Sequence, residues 1–342
     1  MANVRIVDRG IAQAHLSALW AAVVLTAAIT GPAVNVHAGG PGRAASDPTT
    51  GLVACFVSIL PQAYFVERIG AEHVQVDVMV GPGQSPATYE PTAKQLARLA
   101  EANIYFSIGV PFEQALLPRI ERSFENVTIV DTGMEISFST AAGGSGHARK
   151  TDTDGHDGGD DHDHGSLDPH VWLSPRLAKT IAVNIRNALT NADPAHKTEY
   201  RDNCAELTAD LDELHGKITA MMAPAKGGRF YVFHPAYGHF AAEYGVEQIA
   251  VETEGATPGP KHLAKIIEQA EADNVRVLFV QPQFSKNTAD MIAKAIGADV
   301  AILDPLARDY PSNLLEIARR VSAAITAARG SANTNGTSQQ DQ

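Results

Sequence analysis

The sequence predicts an α/β fold: two pseudo-symmetric parallel-sheet lobes of (βα)4 type joined by a long linking helix. Three observations carry that expectation. Short apolar, β-branched runs alternate with helix-length segments, and this alternation suits crossovers on a parallel sheet. It occurs twice, once on each side of a stretch beginning at Asp193. In that stretch Tyr200, Cys204, Leu207, Leu211, Leu214, Ile218 and Met221 recur at alternating spacings of four and three, which is one face of a helix. From Pro194 to Met222 it would span roughly 43 Å at 1.5 Å per residue.

The first block opens with Leu52–Val57, a short and fully apolar strand. Pro61 starts a helix that Gly70 ends. Strands follow at Val74–Val80, Ile104–Ile108 and Val127–Val130, with helices at Pro91–Ala102 and Phe112–Ile120 and a Gly/Pro loop at Gly81–Pro86. Pro175–Leu189 is the helix that closes the block. The second block has strands at Phe230–Phe233, Glu247–Val251, Val275–Val280 and Val300–Leu303. Helices fall at Tyr237–Tyr244, Pro260–Ala272, Lys286–Ile296 and Asn313–Ala328. The expected organisation is a leader over 1–38, a linker over 39–51, a first lobe over 52–193, the linking helix over 194–224 and a second lobe over 225–329. The polar tail 330–342 is expected to be disordered.

The leader rests on Arg5 and Arg9 ahead of an apolar run, Leu16–Ile29, then Gly31-Pro32 and the small-residue site Val36-His37-Ala38. That order is a secretory signal, with cleavage after Ala38. The apolar run is too short to anchor the chain, because a span takes about 20 residues. The chain has 342 residues with 44% hydrophobic and 19% charged content, which is ordinary for a globular protein. Its net charge is −12, and removing a leader of net +1 leaves −13. Such a charge excludes attraction to nucleic acid or anionic lipid. A periplasmic monomer that does not insert in the membrane is expected. Leu52-Val53-Ala54-Cys55 superficially fits a lipid-attachment box, but the polar stretch 39–51 separates it from the leader's apolar run. Cys55 and Cys204 can pair or stay free, and buried free thiols are expected, since cysteine packs as a small apolar residue.

A loop over 143–167 interrupts the first block. It holds His147, His156, His162 and His164 among six aspartates and seven glycines. Such a tract handles metal and cannot bury enough apolar surface to order itself. It runs into Asp168-Pro169-His170-Val171-Trp172-Leu173. His234 and Asp304 follow strands directly, each with a proline next in the chain. In open α/β sheets, ligands bind beyond the carboxyl ends of strands. His170, His234 and Asp304 can therefore share one crevice, and two imidazoles with a carboxylate suit a divalent metal such as zinc. Read singly, His170 and Asp304 are also explained as helix-cap or turn residues. His239 is read as packing and His262 as solvated. Glu252 and Glu254 lie after a strand and can rim the crevice.

At these residues the chain resembles the solute-binding proteins of zinc and manganese ABC transporters. Ser85–Thr92 is similar to the family's first ligand loop, Asp168–Leu173 to the second, Phe233–Phe240 to the third and Leu303–Leu306 to the fourth. The resemblance covers Leu52 to about Ala328. It implies metal bound in the cleft and delivery to an inner-membrane ABC permease. The family usually has a histidine in the first loop, where this chain has Ala87. Three protein ligands then remain, and a fourth donor can come from water, a bidentate Asp304, Glu90 or a histidine of the tract. Manganese binders tend to carry Glu in the third loop. His234 there points to Zn²⁺ over Mn²⁺, since imidazole favours the softer ion.

The expected function is high-affinity capture of a divalent metal, most simply Zn²⁺, with the tract as an auxiliary collector and no catalysis. A zinc-dependent hydrolase is the second reading, because three ligands and an open position is the catalytic pattern. It lacks an H-E-x-x-H motif and would need Glu90, Glu252 or Glu254 as its base. A periplasmic metal buffer or adhesin is the third.

Overall fold

The computed structural model describes residues 51–136, 168–252 and 258–337. The leader, most of the linker, the His/Asp tract with its four histidines, and Glu254 lie outside the described residues. Among the described residues there are two four-stranded sheets, both parallel. The first contains β1 (Val53–Ile59), β2 (Val74–Val80), β3 (Ile104–Ser107) and β4 (Thr128–Asp131), in the order β2-β1-β3-β4. The second contains β5 (Arg229–Val232), β6 (Glu247–Ala250), β7 (Val277–Val280) and β8 (Asp299–Ile302), in the order β6-β5-β7-β8. The shared order is the internal symmetry that the two sequence blocks predict.

Helices α1 (Leu60–Gly70), α2 (Ala93–Leu99), α3 (Glu113–Ser123) and α4 (Pro175–Ala192) belong to the first lobe. The linking helix α5 covers Lys197–Met222, preceded by a 3-10 turn at Pro194–His196. Helices α6 (Gly238–Tyr244), α7 (Pro260–Ala272), α8 (Lys286–Ala295) and α9 (Tyr310–Thr337) complete the second lobe. Several boundaries differ from expectation, each for a local reason. α2 starts later because Thr92 caps it, accepting from the Gln95 amide while Gln95 reaches back to the Thr92 amide. The buried stripe of α5 closes on Met222 rather than Met221. α9 runs on to Thr337, past the Ala328 end that the tail's polar composition suggests. Cys55 lies in β1 and Cys204 on α5, both buried and free.

α5 packs against α1 and α4 of the first lobe and α6 and α9 of the second. One continuous apolar core runs from β1 and α1 through α5 to α9, and a smaller cluster lies under α7 and α8. Across the lobes, Trp172 Nε1 donates to the Pro305 carbonyl at 2.8 Å, and the Tyr310 hydroxyl donates to the Trp172 carbonyl at 2.7 Å. The Tyr310 ring meets Phe65 edge-on at 4.8 Å and stacks on Tyr64 at 5.6 Å, while Arg308 pairs with Glu67.

At the carboxyl end of the first sheet a buried polar network shapes the loops. Gln62 accepts from the Ser58 and Ile59 amides and donates to the Phe106 and Ser107 carbonyls and to Thr132. Glu113 accepts from the Ile108 amide at 3.0 Å and the Gly109 amide at 2.8 Å, and it also takes the Ser58 hydroxyl. Gly109 has φ +91°, a conformation that favours glycine, and it faces Pro169. Glu113 thereby braces the turn on which the Pro169-His170 segment sits. Burial pushes its carboxyl up to about 7, against the pull of those hydrogen bonds.

Two outcomes follow. Trp172→Phe keeps an aromatic ring but leaves the buried Pro305 carbonyl without a donor, so urea unfolding should show a loss of about 1–3 kcal/mol. For Glu113, the folded carboxyl holds its proton between pH 4.5 and about 7 while the unfolded one has released it. The native state binds more protons there, so stability falls as pH rises through that window, by on the order of 3 kcal/mol. Glu113→Gln should abolish that slope in urea titrations taken pH by pH.

Candidate metal centre

The His170 segment stands where the first lobe meets the second. Pro169 leads in, a 3-10 turn at Val171–Leu173 follows, and Ser174 caps α4 by accepting from the Leu177 amide. Asp168 Oδ1 accepts from the His170 amide at 3.0 Å and holds His170 Nδ1 at 2.7 Å. One carboxylate oxygen thus fixes both the backbone turn and the ring. Burial pushes the His170 imidazole below its ordinary value, outweighing the pull of Asp168, so the ring stays neutral. Burial alone would raise Asp168, but the His170 hydrogen bond and the nearby His239 hold it below the usual carboxylate range. The pair is therefore an ionised carboxylate accepting Nδ1–H from a neutral ring, with Nε2 as the nitrogen left to bind.

His234 repeats the hydrogen-bond geometry from the other lobe. It follows β5 by two residues, and its Nδ1 is held by Glu252, which is 4% exposed. Glu252 is placed by its own amide, which donates to the Phe233 carbonyl at 3.0 Å. Gln281, at the end of β7, donates to the His234 carbonyl at 2.8 Å. The Phe284 ring lies 5.2 Å from the His234 ring. The structure brings His170 and His234 together, with ring centroids 5.5 Å apart and planes at 72°.

Asp304 sits on the loop after β8, and that loop is tied to the same zone. Asn313 donates to its carbonyl at 2.7 Å, and the Tyr237 hydroxyl donates to the Leu303 carbonyl at 2.8 Å. Its Oδ1 accepts from the Leu306 amide at 2.9 Å and from Gln283 at 3.4 Å. Among the described residues, the set of three donors all within 4.8 Å of one another is His73, His196 and Glu199, so Asp304 does not complete such a set with the two imidazoles. Ala87 and Glu90 are exposed on the loop between β2 and α2.

Sequence reasoning gives Asp168 no role of its own, reads His239 as packing and puts Glu252 at the crevice rim; the fold makes all three supports of the imidazole loops. His239 is buried and donates to the Asp168 carbonyl at 3.0 Å, so it supports the loop. Gly238 lets α6 approach, since a Cβ there would lie 2.6 Å from Asp168 Oδ2. His262 is not simply solvated: its Nε2 is buried. The available signals were the aspartate two residues before His170 and the glutamate just past β6, both placed as partners only by the fold.

A family model described as zinc-uptake complex component A, periplasmic, matches residues 55–328. The crystal structure of ZnuA is 35% identical with a TM-score of 0.71, and the match covers 80% of this chain and 99% of that one. A ZnuA deletion mutant with zinc bound is 35% identical with a TM-score of 0.72, covering 80% and 98%. The zinc-binding protein AdcA of Streptococcus pyogenes serotype M6 is 27% identical over 267 residues, 75% of this chain and 51% of that protein. The chain spans about half the length of the AdcA relatives it matches. With the two-lobed fold, the linking helix and the facing imidazoles in place, a match over 55–328 leaves one assignment: the chain belongs to the family of periplasmic zinc-uptake complex component A.

Proposed function

We propose that the chain captures Zn²⁺ in the periplasm, between the loops that carry His170, His234 and Asp304, and hands it to an inner-membrane ABC permease. The observation that carries this is the matched pair of imidazoles from opposite lobes, 5.5 Å apart, each with Nδ1 held by a buried carboxylate. A ligating histidine characteristically gives its second ring nitrogen to such a partner, which fixes the tautomer and raises the basicity of the other nitrogen. The ZnuA deletion mutant, 35% identical to this chain, has zinc bound, which supports the choice of ion. Imidazole donors favour Zn²⁺ over Mn²⁺. Asp304 is the third donor, reached by rotation of a half-buried side chain on the same loop cluster. The histidines of 143–167 collect metal ahead of the cleft.

Glu252 also bears on the hydrolytic alternative. A general base must reach a substrate proton, and Glu252 is buried behind His234 and hydrogen-bonded to it. Its role is to orient the ring.

Calorimetric titration with Zn²⁺ and Mn²⁺ tests the site. His234→Ala should lose tight zinc binding, and a variant that binds zinc as tightly as the parent removes the site from consideration. Glu252→Gln keeps the ligand but weakens its partner, and a fall in zinc affinity of roughly 10- to 100-fold is expected. Deleting 143–165 should leave the tight event intact; its disappearance would show that a tract histidine completes the coordination.

A further inference from the structure

At the amino-terminal edge of the first sheet, the opposite end from the cleft loops, two more imidazoles meet. His73 ends the 3-10 turn that connects α1 to β2, where Ala71 takes φ +46° and swings the chain round. His196 and Glu199 lie at the start of the linking helix. The His73 and His196 rings stack with centroids 3.7 Å apart and planes at 15°. His73 Nε2 lies 2.8 Å from Glu199 Oε2. His196 Nδ1 lies 2.5 Å from Asp193 Oδ2, which also accepts the Tyr200 hydroxyl at 2.7 Å. One donor atom from each of His73, His196 and Glu199 falls within 4.8 Å of the other two.

We propose that His73, His196 and Glu199 form a second, peripheral site for a divalent transition-metal ion of zinc's class. Two imidazoles and one carboxylate are the donor set such an ion takes, with water in the fourth position. Asp193 stands to His196 as Asp168 stands to His170: it takes Nδ1 and directs Nε2 outward. Nearly two turns of chain from Asp193 to Tyr200 serve the site, and His73 comes to it from more than a hundred residues away, so the fold and not local sequence assembles it. An ion bonded at about 2.0–2.2 Å to each donor needs His73 and Glu199 to part to about 3.3 Å, and it needs the two rings to splay from their 3.7 Å stack so that their in-plane lone pairs converge. The Glu199 side chain is 56% exposed and free to make that adjustment. The site is shallower than the cleft and binds more weakly. Its consequence is mechanical, because the ion fastens the first turns of α5 to the start of β2.

The experiment is equilibrium dialysis of the full chain against Zn²⁺, with crystals soaked in Zn²⁺ and measured at the zinc absorption edge. The parent should show an anomalous peak within bonding distance of His73, His196 and Glu199. His196→Ala, and the fold-preserving Glu199→Gln at an exposed side chain, should each bind one equivalent fewer at intermediate zinc. Asp193→Asn should weaken that equivalent by roughly 10- to 100-fold. Cleft affinity, read by competition with a chelator, should be unchanged in all three variants and lost in His234→Ala, so failure of either site is separately visible. No anomalous peak beside His73, His196 and Glu199 at saturating zinc, or parental stoichiometry in His196→Ala and Glu199→Gln, overturns the proposal. Uptake by tract histidines alone would give that second result.

Discussion

Trp172 is the residue on which the geometry of the cleft depends. Its indole and its own carbonyl are both committed to the second lobe, through Pro305 and Tyr310. The segment that carries His170 is therefore locked by two bonds of one residue, one to the loop that carries Asp304 and one to the start of α9. Buried backbone carbonyls need donors. Side chains supply them here: Trp172 to Pro305 and Tyr310 to Trp172 across the lobes, and Tyr237 to Leu303 and Asn313 to Asp304 within the second. These side-chain contacts set loop register together with the loops' own turns, in which Asp168 and Asp304 each accept from an amide two residues on.

Behind the facing imidazoles lies a group of buried polar side chains. Asp168, Glu252, Gln281 and His239 are all nearly inaccessible to water. Burying a carboxylate is expensive unless it is paired. Asp168 and Glu252 are paired with the ring nitrogens that must be held, so the groups that satisfy the carboxylates also set the tautomers. Asp168 Oδ2 and Gln281 Oε1 are the exceptions: both are buried without a hydrogen bond, and Asp168 Oδ2 lies 3.9 Å from His239 and against Gly238. The tight packing that aims His170 leaves one lone pair facing a helix end.

Most of the fold was legible in the sequence because its signals are local. Strands such as Val53–Ile59 and Ile104–Ser107 are short, apolar and almost wholly buried, and the α5 stripe follows helical periodicity. The mismatches lie where competing local terms decide, as at the Thr92 cap, or where composition misleads, as in the tail that α9 extends into. Of the candidate site, His170, His234 and Asp304 were visible because each adjoins a proline near a strand or helix end. Glu252 was visible only as an acid in a loop, since its pairing with His234 exists only once β5 and β6 lie side by side. His73 and His196 carried no signal at all. One ends a three-residue turn and the other lies in a second such turn far along the chain, and nothing in either stretch announces the other.

The continuous apolar core through α5 would limit how an ion taken up at the proposed site could leave. An ion held between the lobes would escape most easily if they swung apart, but that motion would expose the Phe65, Trp172 and Tyr310 contacts to water. Exchange of one donor at a time, with the body of the protein nearly rigid, disturbs far less surface. Under the proposed function, residence time would be a property of individual metal–ligand bonds, and a docking surface that displaced a single imidazole would shorten it without prising the molecule open.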